Sequence, residues 1–278
     1  MSASRFTQPT MPSTTVSGTR WSYDAIADVY ATDMGQSMPF DDVGWYRDLC
    51  LREQSASQSG CPVLELGCGT GRILIELLCA GIDAFGADRS LPMLQRLRRD
   101  AAGFAISPKA LQMDIEAPAL RGLRDAPFDV VLMPYSLITY LRDADVAADT
   151  VRALAEIVAP RGCLVLDAFV PQPVTSFADF RRDYRRPHAA GFLERHKRIA
   201  AHPDGTNRIE RRYRVLDADG RTLDEIATDE TIRPYRAEDL VRFGAAAGLH
   251  WEALAWDYGN RSDADSARFA TVVLRKYD

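Results

Sequence analysis

The sequence has few of the features that mark membrane, secreted or metal-binding proteins. No stretch approaches the roughly 18–20 uninterrupted apolar residues needed to cross a bilayer, so we expect no membrane association. Residues 1–20 contain no apolar run, whereas a secretory signal needs a hydrophobic core of about 7–15 residues. We therefore expect a disordered tail over residues 1–20 and a cytoplasmic location.

Cysteine and histidine are too few and too scattered to suggest a metal site. The five cysteines form no C-x-x-C pair, and the four histidines are irregularly spaced. We expect reduced thiols and no bound metal. The net charge of −5 argues against a nucleic-acid partner for the protein as a whole.

From residue 62 onward, short apolar runs alternate with stretches that carry apolar residues at helical spacing. The apolar runs predict strands at residues 63–66, 82–88, 110–114, 128–133 and 163–167. Helices are predicted between them, including one over residues 144–158. Strands that alternate with helices form right-handed βαβ units. We therefore predict an α/β fold with a doubly wound, mainly parallel sheet.

The pattern changes after residue 190. Residues 192–233 predict three antiparallel strands joined by turns at residues 203–205 and 217–220. In the middle strand, residues 209, 211, 213 and 215 share one face. This pattern indicates an antiparallel β meander inserted into the α/β chain. A helix over residues 237–247 and strands at residues 251–258 and 268–276 are expected to complete the core.

A glycine-rich motif follows the first predicted strand. Residues 63–72 read VLELGCGTGR, with Gly67, Gly69 and Gly71 between an apolar run and a helix-type stretch. Such glycines permit a tight turn and a close approach of the backbone to a ligand. Asp88 ends the next strand, where it can accept hydrogen bonds from ribose hydroxyls. A dinucleotide site and a structural turn are the alternatives, although G-x-G-x-G departs from the dinucleotide pattern.

This motif closely resembles the first motif of the class I S-adenosylmethionine (SAM)-dependent methyltransferases, (V/I)L(D/E)LGCGTG. The resemblance covers about residues 60–170. It implies a Rossmann-like fold and SAM as the cofactor. It also implies a set of cofactor-binding residues: Glu65, Gly67, Cys68, Gly69, Gly71, Arg72, Asp88, Arg89, Met93, Met113, Asp114, Ile115 and Met133.

The resemblance assigns roles to several members of this set. Asp88 would hold the ribose, Met93 would pack on adenine, and Asp114 would recognise the adenine amino group. A turn or helix cap is the alternative role for Asp114. Core packing is the alternative for Met93 and Met113, because methionine commonly fills irregular gaps.

The N-terminal segment shows a second resemblance. Residues 21–30 read WSYDAIADVY and are similar to a helix that closes over the cofactor in many small-molecule methyltransferases. Tyr23 and Tyr30 lie seven residues apart and so share one helix face. The resemblance implies that they contact the cofactor or line the substrate site. Packing against the core would explain the same spacing.

Tyr135 lies just beyond the fourth predicted strand, where ligands of open α/β sheets bind. We expect it to be a catalytic and substrate-binding residue, with a simple pocket wall as the alternative. Adenine-type N-methyltransferases have an Asn-Pro-Pro-Tyr tetrad here, but this chain has Met133, which argues against a nucleobase substrate. His196 and His188 are the candidate general bases, and each could equally be an exposed residue of the lobe.

The inserted segment is strongly basic. Residues 181–214 hold eleven Arg or Lys against four Asp or Glu. These side chains could clamp an anionic small substrate, contact RNA, or form a solvated or dimer surface. We expect a small anion, with Arg233 and Arg236 as substrate-binding residues. A homodimer through this lobe is expected by analogy alone.

The sequence therefore predicts a helical cap over residues 21–59, a SAM-binding core over 60–170, an inserted lobe over 171–236 and completion of the core over 237–278. The expected function is methyl transfer from SAM to nitrogen or oxygen of a small, anionic metabolite or natural-product intermediate. One alternative is attack on the aminocarboxypropyl arm of SAM, which releases methylthioadenosine. Another is a SAM-binding regulator without catalysis.

Overall fold

The computed structural model describes residues 22–34, 39–57, 60, 62–115, 123 and 127–277. Its larger sheet contains β1 (Val63–Leu66), β2 (Ala84–Asp88), β3 (Lys109–Gln112), β4 (Phe128–Met133), β5 (Val158–Phe169), β10 (His250–Trp256) and β11 (Phe269–Arg275). The strand order is β10-β11-β5-β4-β1-β2-β3. Strands β1 to β5 pair in parallel, whereas β11 is antiparallel to both β5 and β10. The predicted α/β fold with a mainly parallel sheet is confirmed.

Helices pack on both faces of this sheet. They are α3 (Asp42–Ala56), α4 (Leu74–Cys79), α5 (Leu91–Ala102), α6 (Ala144–Ile157) and α7 (Ala237–Ala246). The two short N-terminal helices, α1 (Ser22–Ile26) and α2 (Tyr30–Met34), pack instead against a second sheet, and α1 also contacts α5. The ends of α5 and α6 follow from local sequence. The Ser90 side chain accepts from the Met93 N–H at 3.3 Å, and Asp143 accepts from the Asp145 N–H at 2.8 Å.

The apolar core has one layer on each face of the sheet. Leu154 of α6 and Leu240 and Phe243 of α7 pack on one face. Leu77 of α4 and Leu97 of α5 pack on the other. The central strands are buried on both faces, and β1 and β4 are buried along their whole length, whereas the edge strands β3 and β10 are mostly exposed. This double burial explains why the sequence shows continuous apolar runs rather than alternation.

A second sheet forms the inserted lobe, which we define as residues 177–232. It contains β6 (Phe177–His188), β7 (Gly191–Ala201), β8 (Asn207–Leu216) and β9 (Thr222–Ile232), antiparallel in that order. The three antiparallel strands predicted over residues 192–233 are confirmed as β7, β8 and β9, and β6 adds a fourth strand that was not predicted. Residues 177–188 are mostly charged or exposed and end in Pro187-His188, and register shifts interrupt their pairing with β7. These features hide the period-2 alternation of a strand.

In the middle strand, β8, Tyr213 and Val215 lie on the same face, as predicted. Tyr213 is buried in a small apolar cluster with Ile26, Val29 and Leu193, and Val215 packs against the same cluster. The lobe therefore packs on the N-terminal helices through this face. The predicted tail at residues 1–20 lies outside the described residues, and the predicted domain boundaries stay predictions.

No helix among the described residues is long and apolar enough to cross a membrane.

Candidate functional site

A narrow cleft lies where the carboxyl ends of β1, β2 and β4 meet, which is the usual ligand position in an open α/β sheet. The N-terminal helices cover it. Backbone and side chains from six segments line it: Tyr23, Tyr30, Gly67, Gly69, Asp88, Arg89, Met93, Ile115, Pro134, Tyr135, Leu137 and Tyr140. We call this space the cofactor cleft.

The glycine loop forms one wall of the cofactor cleft. Gly67 and Gly69 adopt positive φ angles of 65° and 53°, which side chains disfavour. A Cβ atom on Gly67 would lie 2.7 Å from the Leu137 side chain, so the loop has no room for a larger residue at that position. The loop therefore presents bare backbone to the cleft.

Asp88 ties the glycine loop to the end of β2. Its Oδ2 accepts from the Gly69 N–H at 2.8 Å, and its Oδ1 accepts from the Ser90 N–H at 2.7 Å. Burial raises the pKa of Asp88, and these two N–H groups oppose that effect. Each carboxylate oxygen has two acceptor positions, so each retains one for a ligand hydroxyl.

Glu65 lies behind the loop and is only 2% exposed. Its Oε2 has no hydrogen-bond partner among the described residues. Burial raises the pKa of Glu65 to about 8, and the nearby Arg72 guanidinium opposes that rise. A buried polar atom without a partner is costly, so Glu65 is a destabilising feature behind the loop.

The pKa of Glu65 gives a testable pH dependence. Between about pH 4.5 and pH 8 the folded chain holds a proton that the unfolded chain has lost, so the free energy of unfolding falls as pH rises. Glu65→Gln removes this contribution. In urea unfolding, the free energy of unfolding of the variant should rise relative to that of wild type as pH rises. The change should be on the order of 2 kcal/mol at pH 8.

The control for this measurement is Glu76→Gln, which changes a half-exposed carboxylate on α4 that pairs with Arg47 at the surface. Its difference from wild type should stay constant between pH 5.5 and pH 8. A constant difference for Glu65→Gln as well would show that Glu65 is ionised in the folded protein at neutral pH.

Tyr135 enters the cleft from a strained turn after β4. Tyr135 and Ser136 both adopt positive φ angles, of 53° and 60°. The Ser136 N–H donates to Oδ1 of the buried Asp167 at 2.5 Å, and Ser136 Oγ accepts from the Phe169 N–H at 2.9 Å. Burial raises the pKa of Tyr135 to about 12. The hydroxyl is therefore protonated at neutral pH and can donate a hydrogen bond.

A larger cavity of about 1130 Å³ adjoins the cofactor cleft, and Arg89 and Tyr140 line both spaces. We call it the polar cavity. Charged side chains of both signs surround it: Asp114, Asp143, Asp204, Asp229 and Glu230, together with Arg89, Arg142, Arg208 and Arg233. It lies between the core and the lobe, so groups from both can meet a ligand there.

Hydroxyl groups separate the two spaces. The Tyr23 and Tyr140 hydroxyls lie 2.6 Å apart and share a hydrogen bond. Burial raises the pKa of both well above the ordinary value, so both stay neutral. The ring of Tyr30 packs edge-on against Tyr23, with centroids 5.8 Å apart. A ligand that spans the two spaces must pass these three aromatic rings.

The structure brings nine of the predicted site residues to the cofactor cleft: Tyr23, Tyr30, Gly67, Gly69, Asp88, Arg89, Met93, Ile115 and Tyr135. Pro134, Leu137 and Tyr140 also line it and were not predicted as site residues. Leu137 and Tyr140 belong to a short 3-10 turn (Leu137–Tyr140). The sequence carries no motif for this turn, because a strained backbone held by a distant residue creates it.

Other members of the predicted cofactor set lie behind the cleft or beside it. Cys68 and Met133 are buried in the core, and Gly71 packs against Leu97. Arg72 makes a two-pronged ion pair with Asp42, at 2.8 and 2.6 Å. Asp114 faces the polar cavity, where its carboxylate pairs with Arg89 at 3.5 Å. Met113 is half-buried against the core, and Glu65 lies behind the glycine loop.

The two candidate histidines lie away from the cleft. His196 pairs across the lobe sheet with Arg182 and Arg212 and does not line either space. His188 Nδ1 lies 2.8 Å from Thr32 Oγ1, where the lobe meets the N-terminal helices. Neither ring lies where it could take a proton from a ligand in the cofactor cleft.

The two candidate substrate arginines also differ from expectation. Arg233 lines the polar cavity, but its guanidinium donates to the backbone carbonyls of Arg142 and Asp204. Arg236 lines neither space and instead caps α7, where its N–H donates to Asp239 at 2.9 Å.

Most of the basic charge of the lobe is paired within the protein. Close ion pairs join Arg195 to Asp33 and Asp183, Arg198 to Glu210, Arg208 to Asp229, and Arg211 to Glu230. The lobe therefore does not present a free arginine clamp to the polar cavity. The excess of arginine seen in the sequence mainly builds the lobe and its contacts.

Known proteins share parts of this sequence and fold. Residues 63–162 match a family described as "Methyltransferase domain". A Bacillus subtilis (strain 168) protein named "Putative methyltransferase YqeM" is 28% identical over 145 residues, which is 52% of this chain and 54% of that protein. The match thus spans about half the length of this relative.

Solved structures of similar shape cover nearly the whole chain. The CcbJ methyltransferase from Streptomyces caelestis is 24% identical with a TM-score of 0.75, over 93% of this chain and 99% of that one. The sugar N-methyltransferase KedS8 from Streptoalloteichus is 21% identical with a TM-score of 0.69, over 98% of this chain and 100% of that one. At these identities the likeness establishes a shared fold. Residues 63–162 are therefore similar to a methyltransferase domain, and the chain as a whole shares the fold of these methyltransferases.

Proposed function

We propose that the protein transfers a methyl group from SAM to a nitrogen or oxygen atom of a small acceptor bound in the polar cavity. The observation that supports this most is the position of Asp88. It orders the glycine loop through Gly69 and still offers two acceptor positions to the cleft. A carboxylate so placed suits ribose hydroxyls, as in other nucleotide-type sites.

The residues of the cleft fit the parts of SAM. The backbone at Gly67 and Gly69 can approach the methionine and ribose portions closely, while Met93 and Ile115 offer apolar surface to the adenine. When bound, SAM supplies a methyl group on a positively charged sulfur. The faces of Tyr30 and Tyr135 can stabilise a cation beside them.

The rate of methyl transfer depends more on the position of the acceptor than on acid–base catalysis. Methyl transfer is an in-line displacement, so orientation of the acceptor atom supplies much of the rate. Tyr135 and Tyr140 are neutral hydroxyl donors at the edge of the cleft. Each hydroxyl oxygen can also accept a hydrogen bond from an N–H or O–H of the acceptor, which leaves the attacking lone pair free, and neither hydroxyl can act as a strong base.

Within this function, we propose an amino sugar or a similar polyhydroxylated amine as the acceptor. The polar cavity has charges of both signs, and five carboxylates line it. Because most of these charges are paired with one another, the lining offers polar groups of both signs and suits a polyhydroxylated amine better than an anion. The sugar N-methyltransferase KedS8, which shares the fold over 98% of this chain, supports the same choice.

The test is product analysis with the full chain, SAM and a panel of amino sugars, neutral sugars and sugar acids. We expect S-adenosylhomocysteine (SAH), together with a gain of one methyl group in an amino sugar, detected by mass spectrometry. The reason is that an amine matches the carboxylates of the cavity, and its nitrogen becomes nucleophilic once its proton passes to a carboxylate or to water.

Each other outcome contradicts a stated part of the proposal. Methylthioadenosine would mean attack on the aminocarboxypropyl arm. Methylation of sugar acids alone would restore the anionic acceptor predicted from the basic lobe. Tight SAH binding without product from any acceptor would indicate a SAM-binding regulator, and absence of SAH binding would overturn the cofactor assignment.

A further inference from the structure

The N-terminal helices form a lid that closes the cofactor cleft. We define the lid as residues 22–34, which include α1 and α2. Tyr23 and Tyr30 project from it into the cleft. With the lid in place the cleft holds only about 80 Å³ of free volume, against the 300–1,000 Å³ typical of small-ligand pockets. A ligand the size of a nucleoside therefore enters and leaves when the lid moves.

The lid cannot hold its own shape. Each of its two helices has only five residues, whereas isolated helices shorter than about 12–15 residues are marginal in water. Its position therefore depends on contacts with the rest of the protein. Ile26 and Val29 supply apolar contacts to Met93 of the core and Leu193 of the lobe.

The strongest polar contact of the lid is made by Asp33, which is 5% exposed. Its carboxylate accepts hydrogen bonds from Tyr184 of β6, from Tyr213 of β8 at 3.2 Å, and from Arg195 of β7 at 2.5 Å. Three lobe strands therefore converge on one side chain of the lid. Hydrogen bonds to a buried carboxylate are stronger than those between neutral groups, so this contact is strong.

Other groups brace the same contact. Arg186 donates to the backbone carbonyls of Thr32 and Asp33, which satisfies acceptors at the end of α2. Its guanidinium also stacks 3.9 Å from the centre of the Tyr184 ring. Arg195 is fixed by a second carboxylate, Asp183, at 2.9 and 2.6 Å. We call Asp33, Tyr184, Arg186, Arg195 and Tyr213 the Asp33 cluster.

The lobe also reaches the polar cavity through the same strand. Tyr213 lies two residues from Arg211 on β8, and both side chains point towards the lid. Arg211 pairs with Glu230, which lines the polar cavity. Glu230 on β9 therefore links the lining of the polar cavity to the strand that holds the lid.

We propose that Asp33 is a positioning residue: it fastens the lid to the lobe, so that the cofactor leaves only when the Asp33 cluster opens. This inference rests on the proposed function, since it takes the cleft to be the SAM site. It makes the lobe a regulator of cofactor release.

The experiment uses SAH as the probe and the full chain. Stopped-flow displacement gives the rate at which SAH leaves wild type and Asp33→Ala. We expect release from Asp33→Ala to be about tenfold faster, a coupling of the usual size. Asp28→Ala is the matched control, because Asp28 lies on the same lid but is 79% exposed and pairs only at the surface with Arg96 and Arg99. Its release rate should equal that of wild type.

Hydrogen exchange without any ligand provides the second measurement. In Asp33→Ala, exchange should rise across residues 22–34 and stay unchanged in β1 and β4. If this variant does not fold, Tyr184→Phe removes one hydrogen bond of the cluster and should give a smaller change in the same direction.

The outcomes separate the two proposals. No SAH binding to wild type would overturn the proposed function. SAH binding with equal release rates and equal lid exchange in wild type and Asp33→Ala would overturn the role of Asp33 and leave the proposed function standing. Exchange that rises equally in β1 and β4 would also overturn it, since Asp33 would then stabilise the whole fold.

Discussion

Asp88→Ala is expected to weaken the binding of SAH by about 100-fold, as measured by calorimetric titration. Two losses combine. The ligand loses its acceptors for ribose hydroxyls, and the Gly69 and Ser90 N–H groups lose the carboxylate that holds them at 2.8 and 2.7 Å. The glycine loop is then free to leave the geometry that brings its backbone to the ligand. Asp88→Asn keeps one acceptor oxygen, so its affinity for SAH should lie between those of wild type and Asp88→Ala.

The matched control is Asp83→Ala, which removes an exposed carboxylate just before β2 that pairs with Lys109. It should bind SAH as wild type does. Equal weakening in both variants would mean that a general loss of charge, and not the position of Asp88, lowers affinity. Unchanged binding in Asp88→Ala would remove the main support for the cofactor site.

Local sequence was enough to predict the glycine loop, because all of its determinants lie within a few residues. Gly67 and Gly69 need positive φ angles, and the apolar run before them forms the strand that leads into the loop. Asp88 could be placed because a parallel βαβ unit puts the end of the next strand beside the loop. The functional roles of these residues stay predictions.

The supports of the site could not be predicted, because they join residues far apart in the chain. Asp33 meets Tyr213 across 180 positions, and Asp167 meets Tyr46 across 121. Nothing near either aspartate in the sequence distinguishes it from a surface carboxylate. The position of Tyr140 has the same cause, because the turn that carries it depends on Asp167.

The ion-pair partners of the lobe arginines could not be predicted from the sequence. Counting charge along residues 181–214 gives a basic segment, but the partners of those arginines lie on neighbouring strands and on the lid. Net charge along a segment predicts a binding surface only when the partners are also local. In a sheet, they are set by register, which the sequence does not display directly.

Asp167→Ala is expected to lower the free energy of unfolding by on the order of 3–5 kcal/mol, because it leaves three buried donors without an acceptor. Asp167 is fully buried at the end of β5 and accepts from the Tyr46 hydroxyl at 2.5 Å, the Tyr258 hydroxyl at 2.6 Å and the Ser136 N–H at 2.5 Å. The last of these holds the left-handed turn that carries Tyr135. Methyl transfer should therefore also fall, even at temperatures where the variant stays folded.

A double-mutant cycle with Tyr46→Phe isolates this cause. If unsatisfied donors dominate, adding Tyr46→Phe to Asp167→Ala removes one orphaned hydroxyl, so the double variant should lose less stability than the two single variants together. Urea unfolding at neutral pH measures all four proteins. Strict additivity would mean that the Tyr46 hydroxyl is not coupled to Asp167. The cost of losing Asp167 would then come from its other two donors, Tyr258 and the Ser136 N–H, and the second of these holds the strained turn that carries Tyr135.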